Sequence, residues 1–178
     1  STNDGVLDTE AELAAAFAAG GEVKLDADIK LVKPLINSGN VTLNLNGHTL
    51  SHVAECTSSY QMINNKGSLT ITGNGKISFT DTGAGDPTFG WGSYTIRNEG
   101  TLVVENGTIE HLGAQTFATH CIQAIFNYSG STTILDGTIS TPNYRSVRLW
   151  KGDMTINGGT FEGQVWVHCV DDSAKLTI

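Results

Sequence analysis

A short phrase recurs along the chain, never identically, from residue 40 to the last residue. Each copy contains an alternating apolar strand, a turn with glycine and a second short strand. The copies begin at Val41, Ser68, Thr101, Ser131, Asp153 and Ala174. A unit of this kind cannot bury its apolar face alone, so it must stack on its neighbours. The sequence therefore predicts a solenoid.

Each coil of the predicted solenoid contains three short strands, because apolar residues alternate in three runs separated by turns. Equivalent residues of the first strand are separated by 26, 33, 30, 22 and 22 residues, so the basal coil has about 22 residues. The longer coils carry insertions between the second and third strands, at 51–60, 80–93 and 110–121. Insertions at one corner project along one side, which is the usual binding surface of a repeat protein.

The N-terminal segment, residues 1–21, is predicted to contain one helix. Thr9 and Glu12 form a capping-box pattern ahead of an alanine-rich run, so we expect a helix over residues 10–19. Leu13 and Phe17 lie four residues apart on one face. We expect this face to cover the open end of the solenoid, which comprises residues 22–178.

Composition limits the partners of this chain. A formal net charge of −8 argues against nucleic acid as a partner. No stretch approaches the roughly 20 apolar residues that a membrane span needs. Three cysteines, Cys56, Cys121 and Cys169, allow at most one disulfide and show no metal-site spacing. We therefore predict no metal, no cofactor and no disulfide framework.

The phrase Leu43-Asn-Leu-Asn-Gly-His-Thr-Leu50, preceded by Ala18-Ala-Gly-Gly-Glu-Val-Lys-Leu-Asp-Ala-Asp-Ile29, resembles right-handed parallel β-helix domains of the pectin-lyase-like superfamily. It is similar to the versions found in bacteriophage structural and tail-spike proteins. The resemblance implies an all-β, single-stranded right-handed parallel β-helix of about six to seven coils with a short N-terminal capping helix. That superfamily contains lyases, hydrolases, adhesins and inert virion parts, so the resemblance specifies a fold rather than an activity.

Catalytic signals are weak in this sequence. No catalytic motif of the enzyme families is recognisable, and we assign no catalytic residue. Asp81 with Asp86, or Glu105 with Glu110, could in principle form the carboxylate pair of a glycosidase. Chance placement is the better explanation of these pairs, because the chain has 18 acidic residues.

Aromatic residues at the insertion corner are the better candidates for binding. Phe89, Trp91 and Tyr94 lie among glycines in the longest insertion. Exposed aromatic rings stack on sugars or anchor protein contacts, although such rings can also fold down to cover the flank of a solenoid. Further candidates at the same corner or on the third strand are Tyr60, Phe117, Tyr144, Trp150 and Trp166.

These observations favour a non-enzymatic virion structural protein of a tailed bacteriophage, either a head decoration, a fibre subunit or a tail-spike-like module. Its expected partners are capsid or tail proteins, further copies of itself, as in a trimer, and a cell-surface polysaccharide. The final coil is expected to offer a docking edge, because its apolar strands lack a cap. The alternatives are a carbohydrate-binding or polysaccharide-degrading β-helix module of a secreted bacterial protein and an adhesin of the bacterial surface.

Overall fold

A computed structural model describes residues 6–83, 92–113, 121–168 and 173–178. Within these residues the chain forms one helix, α1 (Glu10–Ala19), and seventeen strands. The strands are β1 (Gly21–Lys24), β2 (Ile29–Leu31), β3 (Leu35–Asn37), β4 (Asn40–Asn44), β5 (Thr49–Ala54), β6 (Tyr60–Asn65), β7 (Ser68–Thr72), β8 (Lys76–Asp81), β9 (Gly92–Asn98), β10 (Thr101–Val104), β11 (Thr108–Gly113), β12 (Cys121–Asn127), β13 (Ser131–Ile134), β14 (Thr138–Leu149), β15 (Asp153–Ile156), β16 (Thr160–Val167) and β17 (Lys175–Thr177).

Helix α1 begins and ends at the residues that its capping signals predict. The Thr9 hydroxyl accepts a hydrogen bond from the Glu12 main-chain N–H, and the Glu12 carboxylate accepts one from the Thr9 N–H. These bonds satisfy donors that a helix N-terminus otherwise leaves free. Leu13 and Phe17 are fully buried, and α1 packs on β1, β2 and β3. The helix therefore covers the first strands of the repeat array, as predicted.

The first strands of the repeats form a seven-stranded parallel sheet in the order β1-β4-β7-β10-β13-β15-β17. Neighbouring strands pair without a shift, so that Leu43 lies beside Ile71 and Val104 beside Ile134. Strand residues alternate between the two faces of a sheet. The inward positions therefore carry large apolar side chains, with Thr132 as a buried exception, while hydroxyl-bearing residues fill many of the outward positions.

The second and third strands of the repeats form one ten-stranded parallel sheet. β2, β5, β8 and β11 make one stack, and β3, β6, β9 and β12 make another. The two stacks join at β14, whose first part pairs with β11 and whose second part pairs with β12. This join exists because residues 138–149 run as one strand through the corner where earlier repeats carry insertions. Strand β16 then pairs along β14.

The two sheets are all parallel and nearly closed, which gives a solenoid-like shape compatible with a parallel β-helix. The predicted strand pattern is confirmed at the level of this architecture. The prediction missed β3 and the continuity of β14. A three-residue strand such as β3 has too little alternation to be recognised, and Pro142, which lies within β14, is typical of a turn in the sequence.

An aromatic stack fills part of the interior at the second strands. His52, Phe79 and His111 occupy the same register position in β5, β8 and β11, and all three are buried. The His52 ring nitrogens are both satisfied, because Nδ1 donates to the Leu31 carbonyl (2.8 Å) and Nε2 accepts from the Tyr60 hydroxyl (2.6 Å). These bonds let a polar ring stay buried without an unpaired group.

A ladder of four asparagines connects the ends of the third strands. Asn37, Asn65, Asn98 and Asn127 are fully buried. The Nδ2 of each of the first three donates to the Oδ1 of the next, at 2.8, 2.7 and 2.8 Å. Each of these Nδ2 atoms also donates to a main-chain carbonyl of the following repeat, at 2.9, 2.8 and 2.8 Å. The ladder therefore fixes how far one repeat can shift relative to its neighbour.

A column of glycines lies just beyond the asparagine ladder. A Cβ added to Gly67 would overlap the carbonyl oxygen of Gly39, and a Cβ on Gly100 would overlap that of Gly67. The same holds for Gly130 and Gly152 against the glycine of the preceding repeat. The repeats approach each other here at main-chain distance, so only glycine fits between them.

We expect Gly100→Ala to destabilise the protein by about 2–3 kcal/mol, because its Cβ meets rigid backbone rather than a flexible side chain. Gly39→Ala is the matched control, because its Cβ would lie 3.9 Å from the nearest atom, the Phe17 carbonyl oxygen. That variant should remain within about 0.5 kcal/mol of the parent. Urea denaturation followed by circular dichroism measures both. Equal stabilities for the two variants would contradict the close approach of repeats at Gly100.

Candidate functional site

The outer face of the third-strand stack carries the largest group of aromatic and cationic side chains in the described residues. One register column of this face contains Arg97, Phe126, Arg148 and Trp166. The residues that precede them in the first three of these strands are buried in the core. Because neighbours along a strand point to opposite faces, the column faces outward.

Arg148 lies at the centre of this group and is only 7% exposed. Its guanidinium carbon is 4.5 Å from the centre of the Trp150 ring, 4.9 Å from that of Trp166 and 5.1 Å from that of Phe126. Its Nη2 donates to the His168 Nδ1 at 3.1 Å. Attraction between a cation and aromatic faces stabilises this arrangement, the more so because it is partly shielded from water.

Arg145 lies beside Arg148 on the same face. Its guanidinium carbon is 3.3 Å from the centre of the Trp166 ring and 4.4 Å from that of Tyr144. Its Nη1 donates to the Cys121 sulfur at 3.6 Å. We call the surface formed by these side chains the arginine–aromatic face. It comprises Tyr94, Gln123, Phe126, Tyr144, Arg145, Arg148, Trp150, Trp166 and His168.

The two arginines of this face have no carboxylate within ion-pair distance among the described residues. Arg97, by contrast, pairs with Glu99 at 3.0 Å. Burial lowers the pKa of Arg148, and the positive charge of Arg145 acts in the same direction. The buried Nε atoms of Arg145 and Arg148 have no hydrogen-bond acceptor. The face therefore concentrates positive charge on a chain whose formal net charge is −8.

Gln123 lies between Tyr94 and Arg145 in the register of the same stack. Its side chain is fully buried, and neither its amide oxygen nor its amide nitrogen has a hydrogen-bond partner. Buried amides are normally paired, so an unpaired one is costly and calls for an explanation. The ring of Tyr94 packs at 4.5 Å on that of Phe126, and burial raises the pKa of Tyr94 to about 12.

Four of the eight predicted binding residues lie together on this face, namely Tyr94, Tyr144, Trp150 and Trp166. Tyr60 lies elsewhere, because its hydroxyl bonds to His52 and its ring stacks on the interior Phe79 at 5.6 Å. The remaining three, Phe89, Trp91 and Phe117, lie outside the described residues.

Sequence analysis missed the arginines of this face and its unpaired amide. The signal was present in the run Tyr144-Arg-Ser-Val-Arg-Leu-Trp150, in which buried Val147 and Leu149 frame the outward-facing Arg148. A search restricted to aromatic side chains does not detect it. The partly buried arginines become conspicuous only when the register brings Trp166 beside them.

Two of the acidic residues considered for catalysis, Glu110 and Asp81, have structural partners, whereas Glu105 is exposed. Glu110 pairs with Lys76 at 3.2 Å, and the Asp81 carboxylate accepts hydrogen bonds from the main-chain N–H groups of Cys56 and Gly83. Asp86 lies outside the described residues. In the described part of the chain, no group of three His, Cys, Asp or Glu side chains converges as a metal site requires. No helix there has the length and apolarity to cross a membrane.

Two of the three cysteines are described, and both are free thiols. Cys56 is buried, and burial is the main cause that raises its pKa. Cys121 is partly exposed beside Arg145 and Tyr144. Cys169 lies outside the described residues. The Cys56 thiol is therefore poorly suited to nucleophilic chemistry, because the thiolate is the reactive form.

An apolar cleft of about 410 Å³ lies at the last repeat, lined in part by Ile156, Phe161, Val165 and Ile178. The expectation that the final coil serves as a docking edge concerns this region and stays a prediction.

Comparison with known proteins gives no relative for this chain: no family model matches it, and neither does any curated protein or solved structure.

The buried Tyr94 should make stability fall at alkaline pH. Its pKa is about 12 in the folded chain and about 10 when unfolded, so the unfolded state loses its proton first. The buried, protonated Tyr94 contributes fully to the free energy of unfolding below about pH 10, and this contribution is lost as the pH rises from about 10 to about 12. We expect Tyr94→Phe to lose less stability than the parent between about pH 9 and about pH 11, as measured by urea denaturation.

Tyr128→Phe is the control for this experiment, because Tyr128 lies on the same side of the molecule but is 39% exposed. It should keep the alkaline loss of the parent. If Tyr94→Phe also keeps it in full, Tyr94 is not buried as described.

Proposed function

We propose that this chain is a non-enzymatic virion structural protein of a tailed bacteriophage that acts by binding and assembly. It would serve as a head decoration, a fibre subunit or a tail-spike-like module. In this proposal the two parallel sheets form one right-handed parallel β-helix of six to seven coils, of the pectin-lyase-like superfamily. The solenoid-like arrangement of the sheets supports the fold part of the proposal, and the sequence resemblance motivates the rest.

The observation that carries the binding role is the arginine–aromatic face. Tryptophan, tyrosine and arginine are the side chains most enriched at the energetic centres of interfaces. Here Trp150, Trp166, Tyr144 and two arginines share one outer surface. Tyr144 and the arginines lie on β14, which is hydrogen-bonded to strands on both sides; Trp166 lies on β16, which pairs with β14, and Trp150 directly follows β14. A rigid support reduces the entropy that binding would otherwise cost.

A non-enzymatic role is supported by how the candidate acids are used. Glu110 pairs with the Lys76 ammonium, and Asp81 accepts hydrogen bonds from main-chain donors. A glycosidase needs two carboxyl groups about 5–10 Å apart that face the bond to be cleaved. Acids that stabilise loops and ion pairs are poorly placed to transfer protons to a substrate.

The proposed partners are capsid or tail proteins, further copies of this chain, as in a trimer, and a cell-surface polysaccharide. The proposed location is the virion. Nucleic acid fits poorly as a partner, because the formal net charge is −8 and only 10 residues are lysine or arginine.

The second candidate function is a carbohydrate-binding or polysaccharide-degrading module of a secreted bacterial protein. The same face favours it, because aromatic rings beside polar groups are suited to sugars. The two candidates share the binding surface and differ in the particle that carries the chain and in whether a polysaccharide is cleaved.

Mass spectrometry of density-gradient-purified phage particles from the source culture tests the proposal. We expect peptides of this chain to co-purify with the particles at a stable stoichiometry to the capsid protein. A parallel assay for newly formed sugar ends should detect no cleavage of polysaccharide by the purified chain. Peptides found only in the particle-free secreted fraction, or turnover of a polysaccharide, would contradict the proposal and support the second candidate.

A further inference from the structure

We infer that the turn at Asn106 and Gly107 is a site of spontaneous deamidation in the folded chain, at which the side-chain amide of Asn106 is lost as ammonia through a succinimide ring. The product is a mixture of aspartate and isoaspartate at position 106. The inference goes beyond the proposed function and does not depend on whether the chain belongs to a virion.

The nitrogen that attacks in this reaction is the main-chain nitrogen of Gly107. Its N–H donates to the Oδ1 of Asn106 at 2.7 Å. A carbonyl carbon lies about 1.23 Å from its oxygen, so the Cγ of Asn106 is within about 3.9 Å of this nitrogen. Reacting atoms are close to an attack geometry at about 3–3.5 Å, so only a small rotation of the side chain is needed. The folded turn therefore places the nucleophile beside the carbon that it attacks.

The surroundings of this turn leave the reacting groups accessible. No main-chain acceptor for the Gly107 N–H lies among the described residues. Glycine has no side chain that would shield the nitrogen. The side chain of Asn106 is exposed, so water and hydroxide reach it. Its Nδ2 donates to the Oδ1 of Asn74 at 3.1 Å, which holds the leaving nitrogen toward the preceding repeat while Oδ1 stays over Gly107.

The reaction needs no co-reactant other than water and its hydroxide ion. Hydroxide removes the proton of the Gly107 N–H, and the nitrogen then forms a bond to the Cγ of Asn106. The bond between Cγ and Nδ2 breaks, and Nδ2 leaves as ammonia with a proton taken from water, which restores the hydroxide. Water then adds to one of the two carbonyl carbons of the ring and opens it. Opening on one side gives aspartate, and opening on the other gives isoaspartate, in which the main chain runs through the side-chain carbons.

The same dipeptide at Asn46 and Gly47 is held in a different way. The Gly47 N–H donates to the main-chain carbonyl of Asn74, and the Nδ2 of Asn46 donates to the Leu25 carbonyl at 2.9 Å. Both bonds must break before the nitrogen and the amide can meet, and both stabilise the unreactive arrangement. The chain has four Asn-Gly pairs, and in the described contacts only Asn106 accepts a hydrogen bond from the N–H of its own glycine. The fold therefore selects one pair among four of the same local sequence.

Deamidation at this turn would alter the connection between β10 and β11. The carboxylate makes the net charge more negative by one unit, and the isoaspartyl form adds one carbon to the main chain. The repeats are bonded to this turn on both sides, because the Thr108 N–H donates to the Gly75 carbonyl at 2.9 Å and the Gly107 carbonyl accepts from the Thr138 N–H at 2.8 Å. An additional main-chain atom displaces one of these bonds. We therefore expect the isoaspartyl form to be less stable than the parent.

Peptide mapping by mass spectrometry tests the inference after the full chain has been incubated at mildly alkaline pH. One sample stays folded, and a second is unfolded in guanidinium chloride. In the folded chain we expect deamidation at Asn106 to be at least about tenfold faster than at Asn46, because two additional hydrogen bonds must break at Asn46. In guanidinium chloride all four Asn-Gly pairs should react at similar rates, because only the local sequence then decides. Electron-based fragmentation distinguishes isoaspartate from aspartate.

Two variants assign the reaction to this turn. Asn106→Gln keeps an amide but needs a six-membered ring, which forms more slowly, so it should abolish deamidation at this position. Asn157→Gln alters another exposed Asn-Gly pair and should leave the rate at Asn106 unchanged. Thermal melts of fresh and incubated protein complete the test. The melting temperature of the parent should fall on incubation, whereas that of Asn106→Gln should fall less.

Three outcomes would overturn the inference. They are equal rates at Asn46 and Asn106 in the folded chain, no deamidation at Asn106 in a folded sample whose unfolded counterpart reacts, and an equal fall of melting temperature in the parent and in Asn106→Gln. None of them bears on whether the chain co-purifies with phage particles, so failure here and failure of the proposed function are distinguishable.

Discussion

The asparagine ladder is the interaction on which the rest of the structure depends. Each of its first three amides donates both to the amide of the next repeat and to that repeat's main chain. It is fully buried, so a shift between repeats would leave several polar groups unpaired at about 1–3 kcal/mol each. The adjacent glycine column lets the chain turn at main-chain distance from the repeat below. Together they fix both the register and the spacing of the repeats.

A fixed register is what creates the arginine–aromatic face. A one-residue slip in a strand moves every side chain to the opposite side of the sheet. Arg148 lies opposite Phe126 on one side and Trp166 on the other only because β12, β14 and β16 are aligned as they are. The aromatic rings reduce the cost of holding two arginines together, and no carboxylate of the described residues lies within ion-pair distance of them.

Much of the scaffold was predictable from the sequence, and much of the face was not. The capping box at Thr9 and the alternation of aliphatic residues act locally, so helix α1 and the first-strand sheet follow from nearby residues alone. The face depends on residues from different repeats, and no local pattern places Trp166 beside Arg145. The place of Tyr60 could not be predicted from nearby residues either, because it depends on the hydrogen bond between its hydroxyl and His52 of another strand. The ladder has a sequence signal, since Asn-x-Gly recurs at 37–39, 65–67 and 98–100, but asparagine and glycine also recur in the ordinary turns of this chain, which obscures that signal.

The central claim is that stacked repeats are held in register by the buried asparagines, and the stability of Asn98→Ala tests it most directly. Asn74→Ala is the matched control, because Asn74 is an exposed asparagine in a turn at the opposite end of its repeat. Urea denaturation should show that Asn98→Ala lowers the free energy of unfolding by about 2–4 kcal/mol, while Asn74→Ala changes it by less than about 0.5 kcal/mol. Equal stabilities for the two variants would contradict the claim.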